Sequence, residues 1–139
     1  RGHLEVMLRE RVAGAEGMTP PRSTLAAIER ALRAELESGR VRLQESKMIA
    51  YSAVCHVGHP TTGRALISVD VRWIGLFRGA LHELLHHTYR KEWSRWGGEV
   101  EEILVGALEV ALLEHVGSSK KRVKAWGALI DAHLNREVA

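Results

Sequence analysis

Apolar residues recur with two different periods along this chain of 139 residues, and the change of period limits the folds open to it. Two middle segments, Ile49–Val57 and Ile67–Trp73, alternate apolar and polar positions as strands do. Before and after them, apolar residues return every three or four positions, which predicts helices. The pattern therefore predicts an α+β fold in which helices pack on a small antiparallel sheet.

The turn-forming residues GHPTTG lie between the two alternating segments and predict a hairpin over residues 47–73. In its second strand, Ile67, Val69, Val71 and Trp73 are expected on one face and Ser68, Asp70 and Arg72 on the other. We expect N-terminal helices within 1–40, two helices over 76–116 separated by Trp96-Gly97-Gly98, and a C-terminal helix over 119–136. Val41–Leu43 is a candidate third strand. A chain of this length is expected to form a single domain, 1–139.

Composition narrows the partners that the chain is expected to have. No apolar run approaches the roughly 20 residues of a membrane-spanning helix, so no membrane partner is expected. The net charge of +3 is mild. The basic segment Ser118–Lys124 could touch nucleic acid, but a solvated helix start explains it equally well. The single cysteine, Cys55, is expected to be buried and unreactive, and it is compatible with a cytoplasmic location. Nothing in the sequence indicates the oligomeric state.

The segment FRGALHELLHH, Phe77–His87, contains the sequence H-E-x-x-H at His82, Glu83 and His86. On a helix, residues four apart lie about 40° apart and one turn above each other, so both imidazoles can approach one ion. The carboxylate of Glu83, which directly follows His82, would reach a metal-bound water and accept its proton. Two of eight histidines could fall four apart by chance, but an apolar face on the opposite side of the helix favours metal binding.

A catalytic zinc ion usually has three protein ligands and one water molecule, so a third ligand is expected. The candidates lie in the helix that follows the paired glycines. Its predicted inward face consists of Val100, Ile103, Leu104, Ala107, Leu108 and Ala111. Glu101 flanks that face and is the predicted third ligand, with Glu102 and Glu99 as alternatives, while Glu109 and Glu102 project nearer the opposite side. Acidic residues in a first helical turn are also common simply because they complement the helix dipole.

These features resemble small HExxH zinc metallopeptidases. The strand ISVDVRW, a short connection, LHELLHH and a second helix rich in Glu, Ala and Leu are similar to the compact ImmA/IrrE-type group, many of them phage-encoded, and SprT-like proteins share the HELLH wording. The resemblance covers about Ala65–Val116, and its specificity comes almost wholly from the five-residue motif. It implies a gluzincin-like site with a glutamate ligand on the next helix, and a substrate strand at Ile67–Trp73.

Two functions follow as hypotheses. The first is a zinc-dependent metallopeptidase acting on a protein or peptide, in which His82, His86 and Glu101 hold Zn²⁺ and Glu83 is the general base. The donor that would stabilise the oxyanion stays open among Tyr51, His56, His59 and Tyr89. The alternative is a non-catalytic regulatory or binding protein, such as a phage-encoded one, with a structural or lost metal site and a protein or nucleic-acid partner. Bound zinc would favour the first.

Overall fold

A computed structural model describes residues 20–47, 53–56 and 64–134 of the chain. The part of the expected N-terminal helices before residue 20, the turn of the hairpin and the last residues of the predicted C-terminal helix lie outside the described residues. In the described part of the chain, no helix combines the length and the apolar character that crossing a membrane requires.

Five helices and three strands make up the described residues, which confirms the predicted α+β class. In chain order they are α1 (Arg22–Glu37), β1 (Val41–Glu45), β2 (Ala53–His56), β3 (Ala65–Val69), α2 (Leu76–Thr88), α3 (Arg90–Trp93), α4 (Gly98–Gly117) and α5 (Lys120–His133). The predicted breaks have clear local causes. Gly97 precedes α4 with a φ of 82°, a conformation that glycine adopts without strain. The Ser119 side chain caps α5 by accepting a hydrogen bond from the backbone N–H of Arg122.

The three strands form a sheet in the order β1-β3-β2. Strands β2 and β3 are antiparallel, with Cys55 opposite Ile67, as the hairpin pattern predicts. Strand β1 runs parallel to β3, with Leu43 opposite Ile67, so the prediction of a wholly antiparallel sheet is wrong. The reason is that β1 pairs with β3 rather than with β2, its neighbour in sequence. Alternation of apolar residues identifies strands but carries no information about such long-range pairing.

The predicted alternation through Trp73 fails beyond Val69, where β3 ends. Val71 and Trp73 are exposed, whereas Ser68 and Asp70 are buried. Both buried polar side chains have partners, which removes most of the cost of burying them. The Ser68 hydroxyl accepts a hydrogen bond from the Gln44 amide at 3.0 Å. The Asp70 carboxylate accepts bonds from the backbone and guanidinium N–H groups of Arg72, and this local network closes a turn after the strand.

The position of β3 also bears on the expected substrate strand. Ala65–Val69 has β1 paired along one edge and β2 along the other, so its backbone groups are already engaged. The prediction that Ile67–Trp73 aligns an extended substrate is therefore wrong. Of the strands that the structure describes, β1 and β2 are the outer ones.

Helix α2 lies at the centre of the core. Its buried face consists of Ala80, Leu81, Leu84 and Leu85, as the helical spacing predicts. It packs on β2 and β3 and against α1 and α4. Gly79 allows the closest approach to the sheet, because a Cβ atom there would lie 2.7 Å from Cγ1 of Val69. Trp93 is buried beside the same helix and donates an indole hydrogen bond to the Leu85 carbonyl at 3.0 Å. This packing fixes which face of α2 turns toward α4.

Candidate metal centre

The imidazoles of His82 and His86 lie together on the face of α2 that is turned away from its buried leucines. Their Nε2 atoms are 3.2 Å apart, and their ring centroids are 4.9 Å apart. The four-residue spacing places one ring a helical turn above the other. Both side chains are partly buried between α2 and α4. The predicted histidine pair therefore converges through the same ring atom of each residue.

Glu102 supplies a third donor at this point. Its Oε1 lies 2.5 Å from Nε2 of His86 and 3.6 Å from Nε2 of His82. The three atoms form a group that could hold one metal ion. With Zn–N distances of about 2.0–2.1 Å, the two nitrogens would subtend an angle of about 100° at the ion, which is close to tetrahedral. The 2.5 Å between Oε1 of Glu102 and Nε2 of His86 would subtend only about 75°, so the exposed Glu102 side chain would shift outward when an ion binds. Two imidazoles and one carboxylate are also a donor set that zinc accepts in catalytic sites. The residues therefore fit zinc.

Glu101 occupies a different place from the one predicted. Its carboxylate contacts Nδ1 of His86, on the side of the ring away from the three converging atoms. The structure thus places Glu102, the alternative, where Glu101 was expected as a ligand, and it gives Glu101 the position of an outer partner. Glu99, the other alternative, is exposed in the first turn of α4, where its charge complements the helix dipole.

The rotation of α4 about its axis explains why Glu102, and not Glu101, lies beside the two Nε2 atoms. Ile103, assigned to the inward face, is 65% exposed, whereas Val105, outside that assignment, is fully buried. Apolar residues occur around most of α4, so a helical projection could not identify its inward side sharply. The buried face puts Glu102, Val105 and Glu109 on one stripe at spacings of three and four residues. In the sequence, this face could have been recognised from the seven-residue spacing of Glu102 and Glu109, which is two helical turns.

Glu109 is the site residue that the sequence analysis missed. Its Oε1 lies 2.5 Å from Nδ1 of His82, and its side chain is only 7% exposed. Each histidine therefore has a carboxylate at Nδ1. A carboxylate accepts hydrogen bonds, so Glu109 favours the His82 tautomer with the hydrogen on Nδ1 and a lone pair on Nε2. His86 has a carboxylate oxygen at each ring nitrogen, so an ion bound at its Nε2 would take the place of a hydrogen bonded to Glu102. Metal-ligating histidines are commonly held in this way.

Glu83 lies beside the converging atoms but outside them. Its Oε2 is 3.8 Å from Nε2 of His82, and its side chain is 12% exposed. Burial raises the pKa of the Glu83 carboxyl above its ordinary value, while charge on the two imidazoles and a hydrogen bond from the backbone N–H of Cys55 act in the opposite direction. A partly buried carboxylate at this position can accept a proton from a molecule held at the site.

Two other candidate residues, Cys55 and Tyr89, are packed against neighbouring groups and partly buried. Cys55 is half-buried, and burial, with a smaller contribution from Glu83, raises the pKa of its thiol to about 11, as expected for an unreactive cysteine. Tyr89 packs edge-on against Trp93, and burial raises the pKa of its phenol to about 12. Of the other oxyanion candidates, Tyr51 and His59 lie outside the described residues.

No known protein family matches the sequence, and neither a curated protein nor a solved structure is significantly similar to the chain. The resemblance to ImmA/IrrE-type metallopeptidases therefore stays a prediction that rests on the motif. The interpretation of the site depends on its own geometry.

Proposed function

We propose that the protein is a zinc-dependent peptidase. Its ion would be held by His82, His86 and Glu102, and its general base would be Glu83. The observation that carries the proposal is the convergence of two Nε2 atoms and one carboxylate oxygen, with a further carboxylate on each Nδ1. A histidine pair on a helix surface by chance would not need matched acceptors on both outer nitrogens.

Zinc, when bound, lowers the pKa of a coordinated water toward about 7 and polarises a carbonyl group. The chain's own contribution is the placement of a proton acceptor beside the converging donor atoms. Glu83 takes a proton from the attacking water and delivers it to the amine nitrogen released from the cleaved bond. Its burial strengthens it as a base, and the hydrogen bond from the Cys55 backbone holds the carboxylate in place.

The outer strand next to the site indicates how a substrate would bind. The backbone N–H of Cys55, in β2, reaches the Glu83 carboxylate, so β2 borders the proposed centre. An extended peptide would pair with the outer edge of β2 beside Glu83, through backbone groups other than the Cys55 N–H, which Glu83 already engages. This replaces the central strand β3, whose two edges are already paired.

The proposal is tested with untagged protein, zinc analysis and a proteome-derived peptide library read by mass spectrometry. We expect bound zinc and cleavage that a chelator abolishes. Glu83→Gln should retain zinc and lose activity by about 10²–10⁴-fold, because it keeps the shape of the side chain but cannot accept the proton. Glu99→Gln, an exposed glutamate in the same site region, is the matched control and should cleave normally.

Normal cleavage by Glu83→Gln would show that the assigned base is wrong. A folded protein that takes up no zinc would contradict the proposal as a whole. It would instead favour the non-catalytic binding protein.

A further inference from the structure

An arginine on α2 extends the polar contacts behind His82. The Nε atom of Arg78 donates a hydrogen bond to Oε2 of Glu109 at 2.7 Å. The other oxygen of the same carboxylate contacts Nδ1 of His82. Arg78 precedes His82 by four residues, so both side chains leave α2 on the same face and meet Glu109 of α4 together. The carboxylate therefore links a guanidinium to an imidazole.

The burial of Glu109 makes this link consequential. Its side chain is 7% exposed, whereas Glu101, which contacts the other histidine, is 26% exposed. A buried carboxylate has little water to orient or solvate it, and removing its charged partner leaves that charge uncompensated. Rotation of the Glu109 carboxylate would break its contacts with both neighbours at once. The guanidinium thus fixes the oxygen that accepts from Nδ1.

We propose that Arg78 is a positioning residue of the metal centre: it orients Glu109 so that His82 keeps its hydrogen on Nδ1 and presents Nε2 to the ion. The inference rests on the site of the proposed function but requires no peptidase activity. A purely structural ion pair between α2 and α4 would affect the stability of the fold without changing the state of the His82 ring.

The test uses Arg78→Met, which keeps much of the side-chain length but removes the N–H donors. In the metal-free, ¹⁵N-labelled protein, imidazole NMR should show His82 as the Nδ1–H tautomer, and Arg78→Met should increase the Nε2–H form. Zinc affinity, measured by competition with a chromophoric chelator, should fall by about 10–100-fold. Arg78→Lys retains an N–H donor, so its zinc affinity should fall less than that of Arg78→Met. Arg30→Met, at an exposed position of α1, should change neither readout.

A double-mutant cycle separates this role from a general loss of stability. If Arg78 acts through Glu109, Arg78→Met should weaken zinc binding by no more than about twofold when added to Glu109→Gln. An undiminished effect in that background would overturn the inference, as would an unchanged tautomer with wild-type zinc affinity. If Arg78→Met does not fold, Arg78→Leu, which also lacks a donor, takes its place.

Failure of the proposed peptidase function can be distinguished from failure of the inference about Arg78. If the wild-type protein bound no zinc, the metal-centre role of Arg78 would be overturned together with the proposed function, whereas the tautomer measurement would still decide whether Arg78 orients the His82 ring through Glu109. Loss of peptidase activity with zinc binding intact would leave the inference standing.

Discussion

The two histidines of the site are supported differently at their outer nitrogens. The partner of His82 is a buried glutamate that also accepts from Arg78, whereas the partner of His86 is a more exposed glutamate in the first turns of α4. The carboxylate nearest both Nε2 atoms belongs to a third glutamate, Glu102, whose side chain is 62% exposed. Each of these three glutamates therefore contacts the histidines in a different way, so single substitutions can test their proposed roles separately.

Glu102 and Glu101 should differ in their effect on zinc binding. Glu101→Gln removes an acceptor behind His86 and is expected to weaken zinc binding by about 10–100-fold. Glu102→Ala removes the proposed direct ligand and should weaken zinc binding further. Calorimetric titration with zinc measures the affinity of both variants, and Glu99→Gln is the control. A larger loss in Glu101→Gln than in Glu102→Ala would return the ligand role to Glu101.

Cys55 should react slowly in the folded protein. Its thiol pKa of about 11 leaves very little thiolate at pH 8, compared with an ordinary cysteine of pKa about 8.5. We expect alkylation by iodoacetamide at pH 8 to be roughly a hundredfold slower than in the urea-unfolded chain, and to accelerate as the pH rises toward 11. Mass spectrometry of the alkylated protein measures both rates. Similar rates in the folded and unfolded chains would show that the thiol is not protected.

Among the helices, the success of sequence-based prediction depends on how one-sided each helix is. The apolar residues of α2 are confined to one face, on which Ala80, Leu81, Leu84 and Leu85 are buried and Phe77 is partly buried. Helix α4 is apolar on several sides, so its rotation, and with it the choice between Glu101 and Glu102, could not be predicted. The pairing of β1 with β3 could not be predicted either, because it depends on contacts between distant segments.

The contact between α2 and β3 can be tested at Gly79. A Cβ atom there would lie 2.7 Å from a methyl group of Val69, a buried β-branched side chain that cannot easily move. Gly79→Ala should therefore lower the free energy of unfolding by about 1–3 kcal/mol, even though alanine favours helix. Gly127→Ala in α5, where nothing lies within 4 Å of the added Cβ atom, should raise it by up to about 1 kcal/mol. Urea denaturation measures both, and stabilisation by Gly79→Ala would contradict the close packing.

Over the whole molecule, the site depends on three segments that are distant in sequence. Helix α2 supplies the histidines and Glu83, α4 supplies the three surrounding glutamates, and β2 supplies a backbone N–H to Glu83. The motif could be predicted because it lies within one helical turn. Glu109 and Arg78 could not, because their relation to His82 exists only when α2 and α4 pack together.

The position of a bound ion tests the proposed metal centre most directly. Anomalous X-ray diffraction at the zinc edge, from crystals of untagged protein grown with zinc, locates it directly. We predict one peak at about 2.0–2.2 Å from Nε2 of His82, Nε2 of His86 and a carboxylate oxygen of Glu102, with both Nδ1 atoms still facing their glutamates. Rings turned away from each other, or zinc bound only by other residues, would contradict the account.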